Sequence, residues 1–437
     1  MRTLRKLLLI SFDFPPRRTS AVYRMTSLTK YLLRFGWQAT VLAADVKEGD
    51  QDPTLLEKIP PQVRVERARY WPISGWEKPT ATAIRRLGAL RVPSNEAHQS
   101  RLDRWLRRLG NLVRSCMYFP DSTVGWIPFG FVKAIQLLRE QRYDVVYTTS
   151  PPRSAPVIGL LLKVLFRVPW VLEFMDPWYP PDRRLRRNFE RWLQLLMLRQ
   201  ADVVVVMTNG HKEDFKRTYH IPGDKLALVR NGFDEDDFNS EYTAEEDFFA
   251  AGYAHLTHFG TIYQDFHGSF FPALAGFLEE YPEARARLRV NIIGYPDETT
   301  QHYACDSALK DIIQVHGLMQ HKDAIRAMQS SHCLLLFWGK PDVSRLAVAS
   351  KTYEYLRVGR PILALTYEGE VKELIEEGKA GWVVEPTNTR AVKEVLRLIL
   401  NSSRDTIPPK PRRPEFVAQF RYCLLYTSPS PRDRTRS

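Results

Sequence analysis

Short apolar runs that alternate with amphipathic segments constrain this chain more than any other feature. In the first half, the runs read as buried strands, and the segments between them carry an apolar face at helical spacing. The predicted strands are Lys6–Phe12, Gln38–Ala44, Val63–Arg69, Asp144–Thr149, Trp170–Phe174 and Val203–Thr208, and the predicted helices are Ala21–Phe35, Phe131–Gln141, Val157–Phe166 and Phe189–Arg199. This alternation favours a doubly wound parallel sheet.

The same pattern restarts in the second half, after a loop at Asn231-Gly232. The predicted strands there are His255–Phe259, Arg289–Ile293, Cys333–Phe337 and Ile362–Leu365, and the predicted helices include Phe271–Glu280, Ala324–Gln329 and Thr389–Leu400. We therefore expect an α/β chain with two Rossmann-like domains, 1–230 and 231–422, that face each other across a cleft. Ligands of such sheets bind outside the carboxyl ends of the strands.

Charge is distributed unevenly along the 437 residues, whose net charge is +13. Residues 1–200 hold 34 Lys and Arg against 17 Asp and Glu, a net of +17, so the remainder carries −4. A basic half suggests a polyanionic partner, either an anionic membrane surface or nucleic acid. We expect no nucleic-acid binding, because the chain has no nucleic-acid motif and its basic residues are spread over half its length.

An insertion at about 75–115 contains a basic amphipathic helix over residues 101–114. Its apolar face holds Trp105 and several leucines, and five arginines flank that face. This pattern is typical of a helix lying in a membrane interface, but a helix packed on the domain with a solvated arginine face fits equally well. No uncharged apolar run is long enough to span a bilayer. Because the four cysteines show no paired spacing, we expect a cytoplasmic protein that is either free or peripheral on the inner membrane face.

Residues 423–437 resemble the translation of a sequencing adapter and show no strand or helix pattern. We therefore leave them out of the fold prediction. We expect the natural protein to continue beyond Tyr422.

A candidate anion site begins at Ser350. Ser350 is a suitable N-cap for a short helix, and Gly359 and Pro361 end that helix before a buried strand. Lys351 lies in the first turn, where the helix dipole disfavours a cation, and its position makes sense if an anion binds there, shared with free backbone N–H groups. Glu354, one turn later, could accept hydrogen bonds from ribose hydroxyls. A surface lysine and glutamate on an ordinary helix remain the alternative.

Other polar residues and glycines follow predicted strands. In the first half these are Arg17 and Arg18 after the first strand, Ser150 in a Thr-Thr-Ser-Pro-Pro run, and Asp176 before Pro177-Trp178. In the second half, they are Gly260-Thr261, Gly294 and His316. Glycine lets a phosphate approach the backbone closely, although each feature read alone could also be an ordinary turn. The histidines have no metal-ligand spacing, so we expect no metal.

Taken together, these motifs resemble the family 4 glycosyltransferases, which have the GT-B fold, transfer sugars with retention, and include enzymes of polysaccharide synthesis. The motifs are Phe14-Pro15-Pro16 with Arg24, Pro120-Asp121 with Trp126, Ser150-Pro151-Pro152, Asp176-Pro177-Trp178, Asn231-Gly232-Phe233-Asp234, His258-Phe259-Gly260-Thr261, and Ser350-Lys351 through Glu354 to Gly359-Arg360-Pro361. Each motif is weak alone, but their order and spacing are specific.

The resemblance implies a glycosyltransferase that uses a nucleotide-sugar donor, a cell-envelope or exopolysaccharide acceptor (lipid-linked or free), and no cofactor. It assigns catalysis to Asp176, Lys351 and Glu354. Donor binding falls to Gly260, Thr261, Gly294, His316, Ser350, Lys351 and Glu354, and the acceptor side to Arg17, Arg18, Arg24, Ser150 and Asp176.

Two positions depart from the family pattern. Leu346 stands where the family often has a glutamate, eight positions before Glu354, and His267 is the nearest candidate for a basic residue after Gly260-Thr261. A sugar-nucleotide epimerase of the same fold and a non-catalytic binding protein therefore remain alternatives.

Overall fold

The computed structural model describes residues 4–72, 119–178, 184–238, 248–306, 308–402 and 413–425. The helix predicted at 101–114 and all of the tail except 423–425 lie outside these ranges. The chain divides into two compact units, Met1–Val205 with Tyr219–Ala227, and Val206–Thr218 with Leu228–Ser437. Each unit contains one sheet.

The sheet of the first unit has strand order β3-β2-β1-β4-β5-β6-β7. Its strands are β1 (Arg5–Ile10), β2 (Trp37–Asp45), β3 (Arg64–Arg69), β4 (Val145–Ser150), β5 (Trp170–Phe174), β6 (Val203–Val206) and β7 (Leu226–Leu228). Strand β1 pairs in parallel with both β2 and β4, and β4 pairs in parallel with β5. The strand order moves out from β1 in both directions, as expected for a doubly wound sheet.

Helices connect these strands. They are α1 (Ser20–Leu32), α2 (Ile127–Glu140), α3 (Ser154–Phe166), α4 (Arg184–Gln200) and α5 (Asn209–Tyr219). Helix α1 continues as a short 3-10 turn to Phe35, and Gly36 ends it at φ +75° in the left-handed conformation that glycine adopts without strain.

The sheet of the second unit has the order β10-β9-β8-β11-β12-β13, and all its neighbouring strands are parallel. Its strands are β8 (Ala254–Phe259), β9 (Leu288–Ile293), β10 (Ile313–Val315), β11 (Cys333–Trp338), β12 (Ile362–Thr366) and β13 (Gly381–Val384). Its helices are α6 (Phe270–Glu280), α7 (Glu298–Asp306), α8 (His321–Ser330), α9 (Pro341–Leu346), α10 (Lys351–Val358), α11 (Glu370–Glu377), α12 (Thr389–Leu400), α13 (Pro414–Ala418) and α14 (Tyr422–Leu425).

Alternate residues of the central strands enter two separate cores. On β12, Leu363 and Leu365 pack with α6 and α12, whereas Ile362 and Ala364 pack with α8, α10 and α11. All four side chains are buried, which is why the strand reads as a continuous apolar run.

The predicted alternation and parallel sheets are confirmed, and the bounds shift by a few residues. Strand β6 ends at Val206 rather than Thr208, and α4 begins five residues before the predicted Phe189. The prediction missed β7, β10 and β13, which are three or four residues long and carry too little period-two pattern to identify.

Candidate active site

Two glycine turns lie side by side at the carboxyl edge of the second sheet, after β8 and β9. Gly260 has φ +115° and Gly294 has φ +140°, and both conformations favour glycine. A Cβ on Gly294 would lie 2.1 Å from the Gly260 carbonyl oxygen, whereas a Cβ on Gly260 would meet open space. Gly294 therefore lets the two loops pack closely, and Gly260 leaves exposed backbone beside the exposed Thr261.

Helix α10 is anchored beside these turns by Tyr355. Its buried hydroxyl accepts a hydrogen bond from the Phe259 backbone N–H at 2.9 Å and donates to the Leu335 carbonyl at 3.3 Å. Burial raises the pKa of Tyr355, so the hydroxyl stays protonated as this donation requires. Since Phe259 directly precedes Gly260, Tyr355 fixes the first turns of α10 at the same edge.

Lys351 and Glu354 project from those first turns of α10. The Lys351 Nζ lies 2.7 Å from Glu354 Oε2, and the side chains are 24% and 14% exposed. A lysine ammonium has three donors, so Lys351 can contact an anion while it remains bonded to Glu354. The structure thus joins these two predicted catalytic residues in a partly open pair.

Ser350 occupies the predicted N-cap position, but the prediction that its side chain caps the helix is wrong. Its backbone is already helical, and its hydroxyl makes no capping bond. The N–H groups of Thr352 and Tyr353 donate to the carbonyls of Ala349 and Ser350. The helix end therefore offers fewer free N–H groups than expected, and an anion there would depend more on Lys351. Gly359 ends the helix at φ +91°, as predicted.

His316 lies apart from this group. Its Nε2 is 3.0 Å from Asn291 Oδ1, and its ring borders a cavity of about 260 Å³ that Phe249, His255 and Arg289 also line. Partial burial lowers the pKa of His316. His316 follows the edge strand β10, whereas Lys351 comes after β11. Since β9 and β8 lie between those two strands, the structure does not bring His316 together with Lys351.

His267 does not replace the missing basic residue with an open cation. Its Nδ1 lies 2.9 Å from the Gly268 carbonyl, so Nδ1 carries a proton, and its Nε2 faces Asp297 Oδ2 at 3.6 Å. Both side chains are buried. This contact ties the loop after β8 to the N-terminus of α7, where Asp297 Oδ1 accepts from the Thr300 N–H.

The first sheet also gathers polar residues at its carboxyl edge, and those after β1 bond to one another and to the loop after β2. The Arg17 Nε lies 2.7 Å from Asp13 Oδ1, and the Arg18 N–H donates to the Asp50 carbonyl. Burial raises the pKa of Asp13, while the Arg17 charge opposes that rise. Arg17 is therefore engaged by its own loop.

A second group follows β4 and β5. Trp178 donates from Nε1 to the Ser150 Oγ at 2.8 Å, and the Arg153 guanidinium lies 4.7 Å from the Trp178 ring centre. Asp176 precedes Trp178 by two residues. Asp176 is exposed to solvent, and nearby protein atoms shift the pKa of its carboxyl upward.

Asp121 organises this group, although sequence reasoning gave it no role beyond a motif position. Its carboxylate accepts hydrogen bonds from the Thr123 hydroxyl, the Ser154 hydroxyl and the Arg153 backbone N–H. The loop before α2 is thereby joined to the N-terminus of α3. Asp121 holds Arg153, and through Arg153 it holds the Trp178 ring.

Arg24 was expected on the acceptor side, but its position argues for a structural role. Its Nη2 is 2.8 Å from Glu173 Oε1, its Nε is 2.9 Å from the same oxygen, and the side chains are 1% and 0% exposed. Such a guanidinium has no surface left for an acceptor. The pair lies beneath the carboxyl end of β5, three residues before Asp176.

Within the described ranges, no three His, Cys, Asp or Glu side chains come together as metal ligands. Over the same residues, no helix combines the length and the apolar character needed to cross a membrane.

Family models match most of the chain. Residues 21–232 match the glycosyl transferase 4-like domain, and residues 266–402 match the glycosyl transferases group 1. No curated protein matches the sequence significantly.

Several solved structures have similar folds at low sequence identity. Sucrose-phosphate synthase from Thermosynechococcus elongatus is 13% identical with a TM-score of 0.63, the match covering 97% of this chain and 96% of that one. HepE from Anabaena, in complex with UDP and glucose, is 16% identical with a TM-score of 0.62 and 97% coverage of both chains. WaaG, a glycosyltransferase involved in lipopolysaccharide biosynthesis, is 13% identical with a TM-score of 0.55, and the match covers 97% of this chain and 96% of WaaG. With its two family domains and its pair of parallel sheets, the chain belongs to the family 4-type glycosyltransferases of the GT-B fold.

Proposed function

We propose that this glycosyltransferase moves a sugar, with retention and without a metal, from a nucleotide-sugar donor to a cell-envelope or exopolysaccharide acceptor. We further propose that it works at the inner face of the cytoplasmic membrane. The observation that carries the proposal is the Lys351–Glu354 pair beside the open Gly260 turn.

The chemistry follows from the charges at this edge. When the bond between the donor sugar and the diphosphate breaks, negative charge develops on the leaving phosphate. A cation already in position stabilises that charge without reorganisation, and we assign this role to Lys351. The exposed backbone at Gly260-Thr261 lets the diphosphate approach, and the free lone pairs of Glu354 suit the ribose hydroxyls.

The acceptor assignment rests on the first unit. Asp176 lies on the exposed surface two residues before Trp178, whose hydrogen bond to Ser150 fixes the local loop, so its carboxylate is accessible to an acceptor. We assign Asp176 to the acceptor hydroxyl. The net charge of +17 over residues 1–200 supports an acceptor held at an anionic membrane surface.

Binding of nucleotide sugars, followed by thermal unfolding, tests the donor site directly. Since structures of HepE contain UDP or UDP-glucose, uridine diphosphate sugars come first, followed by GDP, ADP and dTDP sugars. We expect one nucleotide to raise the unfolding temperature by several degrees, and Glu354→Ala to abolish that rise.

Glu368→Ala is the matched control, because Glu368 pairs with Lys372 on the surface of the same unit. It should leave the rise intact. No rise with any nucleotide would contradict the proposed donor site. Conversion of the donor sugar without an acceptor would instead identify an epimerase.

A further inference from the structure

Helix α4 carries two large aromatic side chains on its solvent face. Phe189 is 51% exposed and Trp192 is 54% exposed, and their rings stack with centres 5.4 Å apart. Leu196, four residues further, lies on the same side of the helix and is half-buried. Residues at i, i+3 and i+7 form a continuous stripe, so these three make an apolar surface rather than scattered contacts.

The attachment of α4 to its own unit does not need this stripe. Leu198 is buried on the opposite side of the helix, and Leu193 and Met197 are buried along one edge of the stripe. Those contacts already hold α4 against the sheet. Among the described residues, the Phe119 ring touches Phe189 at 4.6 Å between ring centres, and about half of Phe189 and Trp192 still remains exposed.

Charge around the stripe is strongly positive. The helix sequence contains five arginines and one acid, Glu190. Glu190 is 4% exposed and is neutralised by Arg153 at 2.6 Å and Arg186 at 2.8 Å. Arg191 and Arg199 are exposed, so the outer side of the helix presents cations with no carboxylate of its own.

We propose that α4 docks on an anionic lipid bilayer, with Phe189, Trp192 and Leu196 in the headgroup region and the arginines on lipid phosphates. The surface of an anionic bilayer has negatively charged headgroups above an apolar hydrocarbon layer. An apolar stripe that contains Trp and is bordered by arginines is complementary to both layers. A nucleic-acid backbone would match the arginines but would leave the continuous stripe uncovered. This surface deepens the membrane part of the proposed function, and it consists entirely of described residues.

Sedimentation of the full chain with vesicles tests the proposal. We expect binding to phosphatidylcholine vesicles that contain phosphatidylglycerol, weaker binding to pure phosphatidylcholine, and a loss of affinity as salt rises. The double variant Phe189→Ser/Trp192→Ser should bind about tenfold or more weakly, because both aromatic anchors are lost. Arg191→Gln/Arg199→Gln should lose most of the preference for the anionic vesicles.

Phe35→Ser/Trp71→Ser is the matched control. These aromatics are 44% and 58% exposed on other parts of the same unit, so their removal changes surface hydrophobicity equally without touching α4. The control should bind vesicles as the parent does. Equal binding by the α4 variant and the control would overturn the proposal.

Two measurements identify other occupants of the surface. If the double variant at Phe189 and Trp192 changes the molar mass of the protein in solution, the stripe binds a second copy of the chain. If it loses affinity for oligonucleotides but not for vesicles, the stripe binds a nucleic acid. Either result contradicts the proposal. The nucleotide-sugar test on the α4 variant separates the two proposals. If the nucleotide sugar still stabilises the α4 variant but the variant no longer binds vesicles, the docking surface is supported. If the nucleotide sugar stabilises the variant and it binds vesicles as the parent does, the docking surface is overturned and the proposed function is not.

Discussion

The carboxyl edges of the two sheets have the same strand geometry but differ in how their charges are placed. Beneath the first edge, the Arg24–Glu173 pair is fully buried. At the second edge, the Lys351–Glu354 pair is partly exposed, and the Gly260 turn faces open space. The clearest difference is therefore between a buried pair that can only support the fold and a partly exposed pair that a ligand can reach.

Under the proposed function, this difference would let two similar units bind different substrates. A sugar acceptor is neutral at its hydroxyl groups and is selected by shape and fixed hydrogen bonds, which buried pairs help to hold in place. A nucleotide diphosphate carries charge, and its recognition requires cations and backbone that remain accessible. Breaking a pair should therefore cost stability at the first edge and catalysis at the second.

The largest stability effect is expected at Arg24. Arg24→Met leaves Glu173 as a buried carboxylate without its cation, which should lower the free energy of unfolding by about 3–5 kcal/mol. Urea unfolding followed by circular dichroism measures this loss. The double variant Arg24→Met/Glu173→Leu removes the stranded charge as well and should recover much of the stability. A change below about 1 kcal/mol for Arg24→Met would show that the pair does not stabilise the first edge.

The opposite pattern is expected at Lys351. Lys351→Met keeps the length of the side chain and removes its charge, so kcat should fall by about 10²- to 10³-fold, the usual loss for one preorganised group at a developing anion. Stability should change little, because a cation in the first turn of α10 opposes the helix dipole. Steady-state kinetics with the donor identified by thermal unfolding measures the effect.

Lys372→Met is the control for that measurement, since Lys372 on α11 pairs with Glu368, which precedes that helix. Its kcat should stay within about twofold of the parent, as expected for a surface pair of little energetic value. If Lys351→Met also kept the kcat of the parent, Lys351 would not be the residue that stabilises the leaving phosphate.

The sequence predicted the central strands because they are long apolar runs buried on both faces, as β12 is. The sequence did not predict the short strands at the sheet edges. Strand β10, for example, has only three residues, and two of them are exposed. Local pattern also placed α10 and its Gly359 terminator correctly.

The sequence could not predict which residues pair when they are far apart in the chain. Arg24 and Glu173 are 149 residues apart, and only the tertiary fold brings them together. The same holds for Arg153 and Glu190, or for Tyr355 and Phe259. Residue type and strand position indicate where polar groups gather, but which of them are already paired depends on the tertiary structure.

The smallest expected difference compares the two glycine turns of the second edge. Gly294→Ala adds a Cβ 2.1 Å from the Gly260 carbonyl oxygen, whereas Gly260→Ala meets only an unfavourable φ. We expect Gly294→Ala to be the less stable variant by about 1–3 kcal/mol, because it forces the two loops apart as well as straining the backbone. Urea unfolding measures this difference.

Gly260→Ala should instead be the variant that binds the nucleotide sugar more weakly, since its new methyl would project into the space proposed for the diphosphate. Gly252→Ala, a turn with φ +89° and open surroundings before β8, provides the strain without the donor contact. If Gly252→Ala weakened donor binding as much as Gly260→Ala, the open turn would have no special part in the second edge, and the contrast between the two sheets would rest on Lys351 and Glu354 alone.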